Sequence, residues 1–263
     1  MPRITLLTDF GTRDGYVAAV KGVLAERAPG VLIDDAAHDI PPGDIRSAAW
    51  ALSRYWQLYP AGTVHLAVVD PGVGSDRRAL AARVAGRLFV APDNGVLSRV
   101  LDECPPDLVV SLENPQHLRS GPSCTFHGRD VFAPAAAALA LGLPLEELGP
   151  PVADPAMLPL PRPDCHGATA RGVVVHVDRF GNLITNLPAR CVRAAATVRV
   201  AGRSVGPLRR TYADVEPGAP LALIGSAGLL EVSVRDGNAA SVLGVGLDAE
   251  VEVESAVTGD GAP

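Results

Sequence analysis

The chain has a single lysine among its 263 residues, only 4% aromatic residues and four cysteines, and each shortage excludes a class of protein. A formal net charge of −6 with scattered arginines offers no basic surface for nucleic acid, which needs clustered Lys and Arg against phosphates. Cys104, Cys124, Cys165 and Cys191 form no CxxC pair and no regular spacing, so neither a zinc site nor a disulfide framework is signalled and reduced thiols are expected. No apolar run reaches the roughly 20 residues of a membrane helix, so no membrane partner is expected. The first residues lack a basic segment followed by an apolar core and cleavage site, and a cytoplasmic protein is expected. GxGxxG, Walker, HExxH and GxSxG patterns are also missing, which weakens dinucleotide binding, phosphate cradling, zinc proteolysis and serine hydrolysis as readings.

What is present is a hydrophobic share of 48% built from Ala, Val and Leu, which suits strands covered by alanine-rich helices. The length favours two domains, each with its own core. Up to about residue 150, strands expected at 3–8, 31–35, 63–69, 79–84, 87–91 and 108–111 alternate with helices near 14–28, 43–57, 96–101 and 131–141. This is the rhythm of an α/β domain with a mostly parallel sheet flanked by helices. Seven prolines between Leu143 and Pro163 forbid continuous helix or central strand, and a linker is placed at 151–167. Beyond it, from 168 to 256, strands at 168–177, 197–200, 220–224, 229–234 and 249–254 without obvious helices read as a smaller antiparallel β domain resembling a barrel. The tail 258–263 is expected to fray.

Three polar turns follow apolar segments in the first domain. Strand 3–8 runs into Asp9, Phe10, Gly11 and then Asp14; strand 63–69 delivers Asp70 into Pro71-Gly72-Val73-Gly74, with Arg77 and Arg78 beyond; and Phe126-His127-Gly128-Arg129-Asp130 precedes a small-residue helix. Carboxylates at strand ends are where α/β enzymes keep their chemistry. Taken alone, Asp70 could equally cap its own turn, Asp14 could be a helix N-cap, and either arginine could fold back onto Asp70 as a bidentate partner. In the second domain, Asp178-Arg179-Phe180-Gly181-Asn182 again sets an acid after a strand, and Gly225-Ser226-Ala227-Gly228 and Asn238-Ala239-Ala240 are turns with free backbone groups. Residue chemistry by itself leads to a carboxylate-rich cleft acting on a small polar molecule, with metal-dependent phosphoester hydrolysis as a competitor.

In this order the three turns of the first domain, the Asp178–Asn182 segment and the Asn238-Ala239-Ala240 turn, five motifs in all, resemble the S-adenosyl-L-methionine (SAM) hydroxide adenosyltransferases, the adenosyl-forming SAM hydrolases, relatives of the fluorinating and chlorinating SAM enzymes. The resemblance spans nearly the whole chain. It implies attack of water or hydroxide on the ribose C5′ of SAM, giving adenosine and L-methionine with no metal and no cofactor, in a homotrimer whose sites lie between subunits. It assigns the nucleophilic water to Asp70, Arg77 and His127, and the ribose hydroxyls to Asp9. Substrate contacts are implied at Asp14, at Asp178 for the methionine ammonium, at Phe180 and Asn182 for adenine, at Ser226 for the carboxylate, and at Asn238 and Ala239 for the purine edge. Ala227 stands where the halogenating relatives carry a basic residue. A carboxylate at position 70 would repel a halide, so hydroxide is expected over chloride or fluoride. A SAM- or adenosine-binding module with incidental slow turnover, or a chlorinase-like enzyme, are the alternatives.

Overall fold

The computed structural model describes residues 1–166, 169–193 and 196–254. The strand start expected at 168, the domain limits at 167/168 and 256 and the frayed tail 258–263 lie outside the described residues. Two compact units divide between Pro159 and Leu160, inside the proline-rich stretch.

Unit 1 is a six-stranded sheet in the order β2-β1-β3-β5-β4-β6. Its strands are β1 Arg3–Thr8, β2 Leu32–Ala37, β3 Val64–Val68, β4 Ala79–Val84, β5 Arg87–Pro92 and β6 Leu108–Ser111. β1 pairs in parallel with both β2 and β3, and β3 with β5, whereas β4 runs antiparallel to β5 and β6. β1 and β3 lie inside the sheet and are buried on both faces, mostly by apolar side chains as strands covered on both sides require, with buried Thr5 and His65 paired to each other at 2.8 Å. Ile4, Leu6 and Leu66 join one core with α1 (Tyr16–Arg27) and α4 (Ala133–Ala140), while Leu7, Ala67 and Val69 join the other with α2 (Ile45–Tyr55). A short α3 (Ser98–Glu103) extends that second layer through Val100. Truncating a buried leucine such as Leu66 to alanine removes about 2–5 kcal/mol.

α2 begins where Asp44 accepts the Ser47 amide at 2.9 Å, a side-chain cap. α1 begins differently from expectation. Its N-cap position is Gly15, in the left-handed region at φ 77°, with no side-chain cap, so Asp14 sits one residue too early to cap and is exposed. The alanine helix starts at Ala133, because the turn before it, Gly128–Phe132, is wound as a π-helix. Such turns concentrate at functional sites.

Unit 2 is a closed barrel in the order β10-β11-β12-β8-β7-β13-β9. Its strands are β7 Thr169–Val177, β8 Leu183–Pro188, β9 Thr197–Val200, β10 Arg203–Arg209, β11 Pro220–Ile224, β12 Leu229–Val234 and β13 Glu250–Glu254. Every pairing is antiparallel except β10 with β11. Closure leaves no free edge. β8, β10 and the one-turn helix α5 (Ala239–Leu243) escape the sequence reading; β8 ends in a proline, β10 is broken by Gly206 and Pro207, and α5 is too short to show periodicity.

The cysteines require a correction. Cys165 and Cys191 are joined in a disulfide with Cα atoms 5.4 Å apart, while Cys104 and Cys124 are free. Spacing along the chain could not reveal the pair. It forms because Cys165 precedes β7 and Cys191 follows β8, and the antiparallel β7–β8 pairing returns the chain to its starting point. Among the described residues no helix is long and apolar enough to cross a membrane, and no group of three or more His, Cys, Asp or Glu is placed to hold a metal ion.

Candidate active site

Parallel strands β1 and β3 are neighbours, so their C-terminal ends bring Asp9 and Asp70 to one end of the sheet. A cavity of about 320 Å³ opens there, lined among others by Asp9, Phe10, Tyr16, Asp70, Phe126 and His127. The third polar turn reaches it through a close backbone approach. Gly74, at φ 82°, lies so near the Cys124 carbonyl oxygen that a Cβ would stand 2.7 Å from it, and only glycine permits both that conformation and that contact. The turn after β3 thus packs directly on the loop that leads to His127.

Arg77 ties the corner together. Its Nε donates to Asp70 Oδ1 at 2.8 Å and its Nη2 to Asp70 Oδ2, a bidentate fork, while Nη2 also stands 2.8 Å from His127 Nδ1. The guanidinium lies over the buried Phe132 ring, 5.2 Å from its centroid. Both partners of the ion pair are withdrawn from solvent, with side-chain exposures of 9% for Arg77 and 5% for Asp70, so the pair escapes the screening that weakens surface bridges. The choice left open between two arginines is resolved: Arg78 points away, to Asp93 and Asp154.

The contact with Arg77 dictates the state of His127. A guanidinium has donors only, so Nδ1 must present its lone pair and the ring proton resides on Nε2. Burial, and next the Arg77 charge, pull the His127 pKa below its ordinary value, against the opposing pull of Asp70 and Asp130. His127 is therefore a neutral imidazole that offers an N–H. With Nδ1 engaged, it is poorly placed to accept a proton.

Asp70 and His127 line the cleft, whereas Arg77 is not among the residues lining it and instead lines a second cavity of about 230 Å³, which His127 also lines. Arg77 therefore holds its two partners from behind. Asp130 stabilises the approach to this corner: it accepts the Ser123 amide at 2.9 Å and Arg129 Nε at 2.7 Å, and the Arg129 hydrogen bond leads the interactions that lower its pKa. Asp9 accepts the Gly43 amide at 2.8 Å. Asp14 is not among the residues lining the cleft.

Sequence reasoning passed over the cleft's aromatic wall. Phe10, Tyr16 and Phe126 meet edge to face with ring centroids 5.3–6.1 Å apart, the geometry that ring quadrupoles favour. One signal was available, because Phe10 follows Asp9 and Phe126 precedes His127.

The candidates in unit 2 form a turn locked by its own polar groups. Asp178 accepts the amides of Phe180 and Asn182 through Oδ1, each at 2.9 Å, and the Asn182 side-chain amide through Oδ2 at 2.9 Å. Gly181 packs on Asn238 so closely that a Cβ would come within 2.1 Å of its Cγ, and the Ala240 amide donates to the Gly181 carbonyl at 3.0 Å. Asn238 caps α5 by accepting the Ser241 amide at 2.8 Å, and Ala239 is fully buried. This frame leaves Phe180 projecting, 74% exposed. Ser226 is exposed at the tip of the β11–β12 hairpin.

Comparison with known proteins identifies the family. Residues 4–149 match the model of the SAM hydroxide adenosyltransferase N-terminal domain and residues 172–252 that of the C-terminal domain. The chain is 50% identical over 255 residues to a protein of Thermus thermophilus named (R)-S-adenosyl-L-methionine hydrolase, covering 93% of this chain and 96% of the relative. A Salinispora arenicola protein of the same name is 45% identical over 253 residues, covering 93% and 94%. A fluorinase of Actinoplanes stands further off, at 30% over 213 residues and 71% of this chain. Among solved structures, an uncharacterized conserved protein of Thermotoga maritima superposes with a TM-score of 0.89 at 37% identity, covering 95% of this chain and 99% of that one. The chain belongs to the SAM hydroxide adenosyltransferase family.

Proposed function

We propose that the chain hydrolyses (R)-S-adenosyl-L-methionine to adenosine and L-methionine by attack of water or hydroxide at the ribose C5′. The C5′–O bond forms as the C5′–S bond breaks, its electron pair neutralises the sulfonium sulfur, and one proton is released. The leaving group departs as a neutral thioether and needs no acid. What the protein must supply is an oriented nucleophile in a site shielded from bulk water. The observation that carries this reading is the Asp70–Arg77–His127 linkage at the cleft. Asp70 accepts a proton of the attacking water, the His127 Nε2–H orients its oxygen, and Arg77 fixes both from behind. No metal takes part. A carboxylate on the cleft wall disfavours a halide in the same position, which separates the reading from that of the fluorinases.

In the same reading Asp9 receives the ribose hydroxyls, Phe180 stacks on adenine, and Asn182, Asn238 and Ala239 meet the purine edge. Ser226 takes the methionine carboxylate. Asp178, three of whose contacts are already internal, keeps a lone pair for the ammonium, whereas Asp14, exposed and outside the cleft lining, is assigned no particular substrate group. These groups are divided between two units, and the family resemblance supports a homotrimer in which unit 1 of one subunit meets unit 2 of its neighbour. We place the protein in the cytoplasm, where SAM is made and used.

Incubation with SAM in ¹⁸O-water tests the chemistry. The expected result is labelled adenosine, formed equally well in EDTA; unlabelled adenosine, or turnover that requires an added cation, would overturn it. Refolding together an Asp70→Ala protein and an Asn238→Ala/Phe180→Ala protein, assayed at SAM well below the wild-type KM where each alone is impaired, tests the shared site: activity above the sum of the two is expected, and no such excess would remove it.

A further inference from the structure

A second chain of polar side chains, unused by the proposed reaction, ends on the strand that carries Asp9. The protein's one lysine, Lys21, donates to Asp35 Oδ2 at 2.6 Å. Asp35 Oδ1 lies 3.0 Å from His38 Nε2, and His38 Nδ1 lies 2.8 Å from Thr8 Oγ1. Threonine, histidine and aspartate in this order look like a nucleophile with its base and orienting acid. Thr8 is completely buried, however, and no substrate can reach its hydroxyl.

The hydrogen bonds point to a different role. Thr8 Oγ1 accepts the Phe10 amide at 3.3 Å, which leaves its own proton for His38 Nδ1; the ring then donates from Nε2 to Asp35. The main chain of His38 repeats the connection, its carbonyl accepting the Gly11 amide at 2.7 Å. The two amides that follow Asp9 are therefore both held through Thr8 and His38. A slip in strand register brings the histidine there: Leu6 faces Asp35 but Leu7 faces Ala37, and the bulge at Ala36 turns the chain after β2 towards the end of β1. Asp35 would have its pKa raised by burial, but Lys21 and His38 outweigh this and hold it below the usual carboxylate range.

We propose that His38 is a positioning residue, which through Thr8 and its own carbonyl fixes the Asp9–Gly11 turn in the conformation that presents the Asp9 carboxylate to the ribose diol. This rests on the reading of Asp9 as the ribose acceptor given above. It also explains a relay whose buried Thr8–His38 end stops one residue from the cleft without entering it.

The test compares full-length wild type with Thr8→Val, Thr8→Ser, His38→Ala and His38→Asn, the last of which keeps an acceptor near the Nδ1 position. Adenosine affinity by calorimetry and KM for SAM are expected to weaken about tenfold in Thr8→Val and His38→Ala, with kcat within about twofold, as one buried hydrogen bond implies. Thr8→Ser and His38→Asn are expected to recover most of the loss, and the Thr8→Val/His38→Ala double variant to be no worse than either single one. Amide hydrogen exchange supplies a readout independent of ligand: exchange at Phe10 and Gly11 is expected to rise about tenfold in His38→Ala, the same single-bond effect. Unchanged exchange at those amides, or a kcat collapse at constant KM, would overturn the proposal. If wild type neither binds adenosine nor cleaves SAM while exchange responds as expected, the functional reading fails and the positioning of the turn stands.

Discussion

In unit 1 the candidate groups reach one another over long stretches of chain, Arg77 to His127 across 50 residues, and they do so through charged side chains withdrawn from solvent. In unit 2, Asp178 and Asn182 are four residues apart and are satisfied by amides and backbone within one turn. The first arrangement cannot exist until the sheet has formed, whereas the second is largely assembled by its own sequence. A buried guanidinium shared between a carboxylate and an imidazole sets charge and proton positions. A self-satisfied turn sets shape. Substitutions in the Asp70–Arg77–His127 corner should therefore change turnover, and those in the unit 2 turn should change affinity or stability.

The largest effect is expected at Asp70. Replacement by alanine removes the proposed proton acceptor and should lower kcat by about 10²–10⁴-fold, with adenosine affinity within about twofold; steady-state kinetics and calorimetry measure the two. A comparable loss of affinity would show that the corner binds substrate as much as it activates water. Next is the disulfide. Cys165→Ser opens a link across 26 residues and should cost about 2–4 kcal/mol, seen as a lower unfolding temperature, while the hydrogen exchange of β1 and β3 stays as in wild type. Faster exchange in those strands would mean that the two units do not differ in what stabilises them.

Arg77→Lys keeps the charge and loses the fork, and should reduce kcat/KM by about 10–100-fold, the value of one or two charge-assisted hydrogen bonds. Phe180→Ala should weaken adenosine binding about tenfold through the loss of stacking and leave kcat unchanged; a fall in kcat at constant affinity would erase the division between units. The smallest effect is on pH dependence. Burial and Arg77 depress the His127 pKa below 6.5, so the neutral ring and its contribution to stability persist above 6.5 and are lost as pH falls through the lower, folded-state value. The acid limb of kcat/KM should lie below pH 6.5 and move upward in Arg77→Gln, where the neighbouring cation is gone. A limb that stays in place would separate His127 from the activity.

Much of this architecture is legible in the residues themselves. Largely apolar runs ending in Asp9 and Asp70 announce buried strands that deliver carboxylates, because burial on both faces tolerates few polar side chains and the first acid marks where it ends. Parallel neighbours then place both acids at one edge. The motif around Asp178 is legible for a different reason, since an acid followed by Gly and Asn closes a turn through hydrogen bonds over four residues. Less was legible at the cap of α1, where a left-handed glycine and not Asp14 occupies the terminal position. Strands β8 and β10 are obscured by the prolines and glycine they contain, which a closed barrel tolerates at bends and ends.

The order of apolar and polar segments was enough to specify two units of different class and the strand ends that carry acids; the family came from the resemblance of particular motifs. These are properties of neighbours in sequence, governed by burial and local backbone geometry. Four things were decided only in three dimensions: that Arg77 and not Arg78 pairs with Asp70, that His127 carries its proton on Nε2, that Cys165 meets Cys191, and that His38 braces the turn beside Asp9. Each depends on contacts between segments far apart in the chain, or on which of two adjacent side chains a packed sheet directs inward, and neither composition nor spacing encodes that choice.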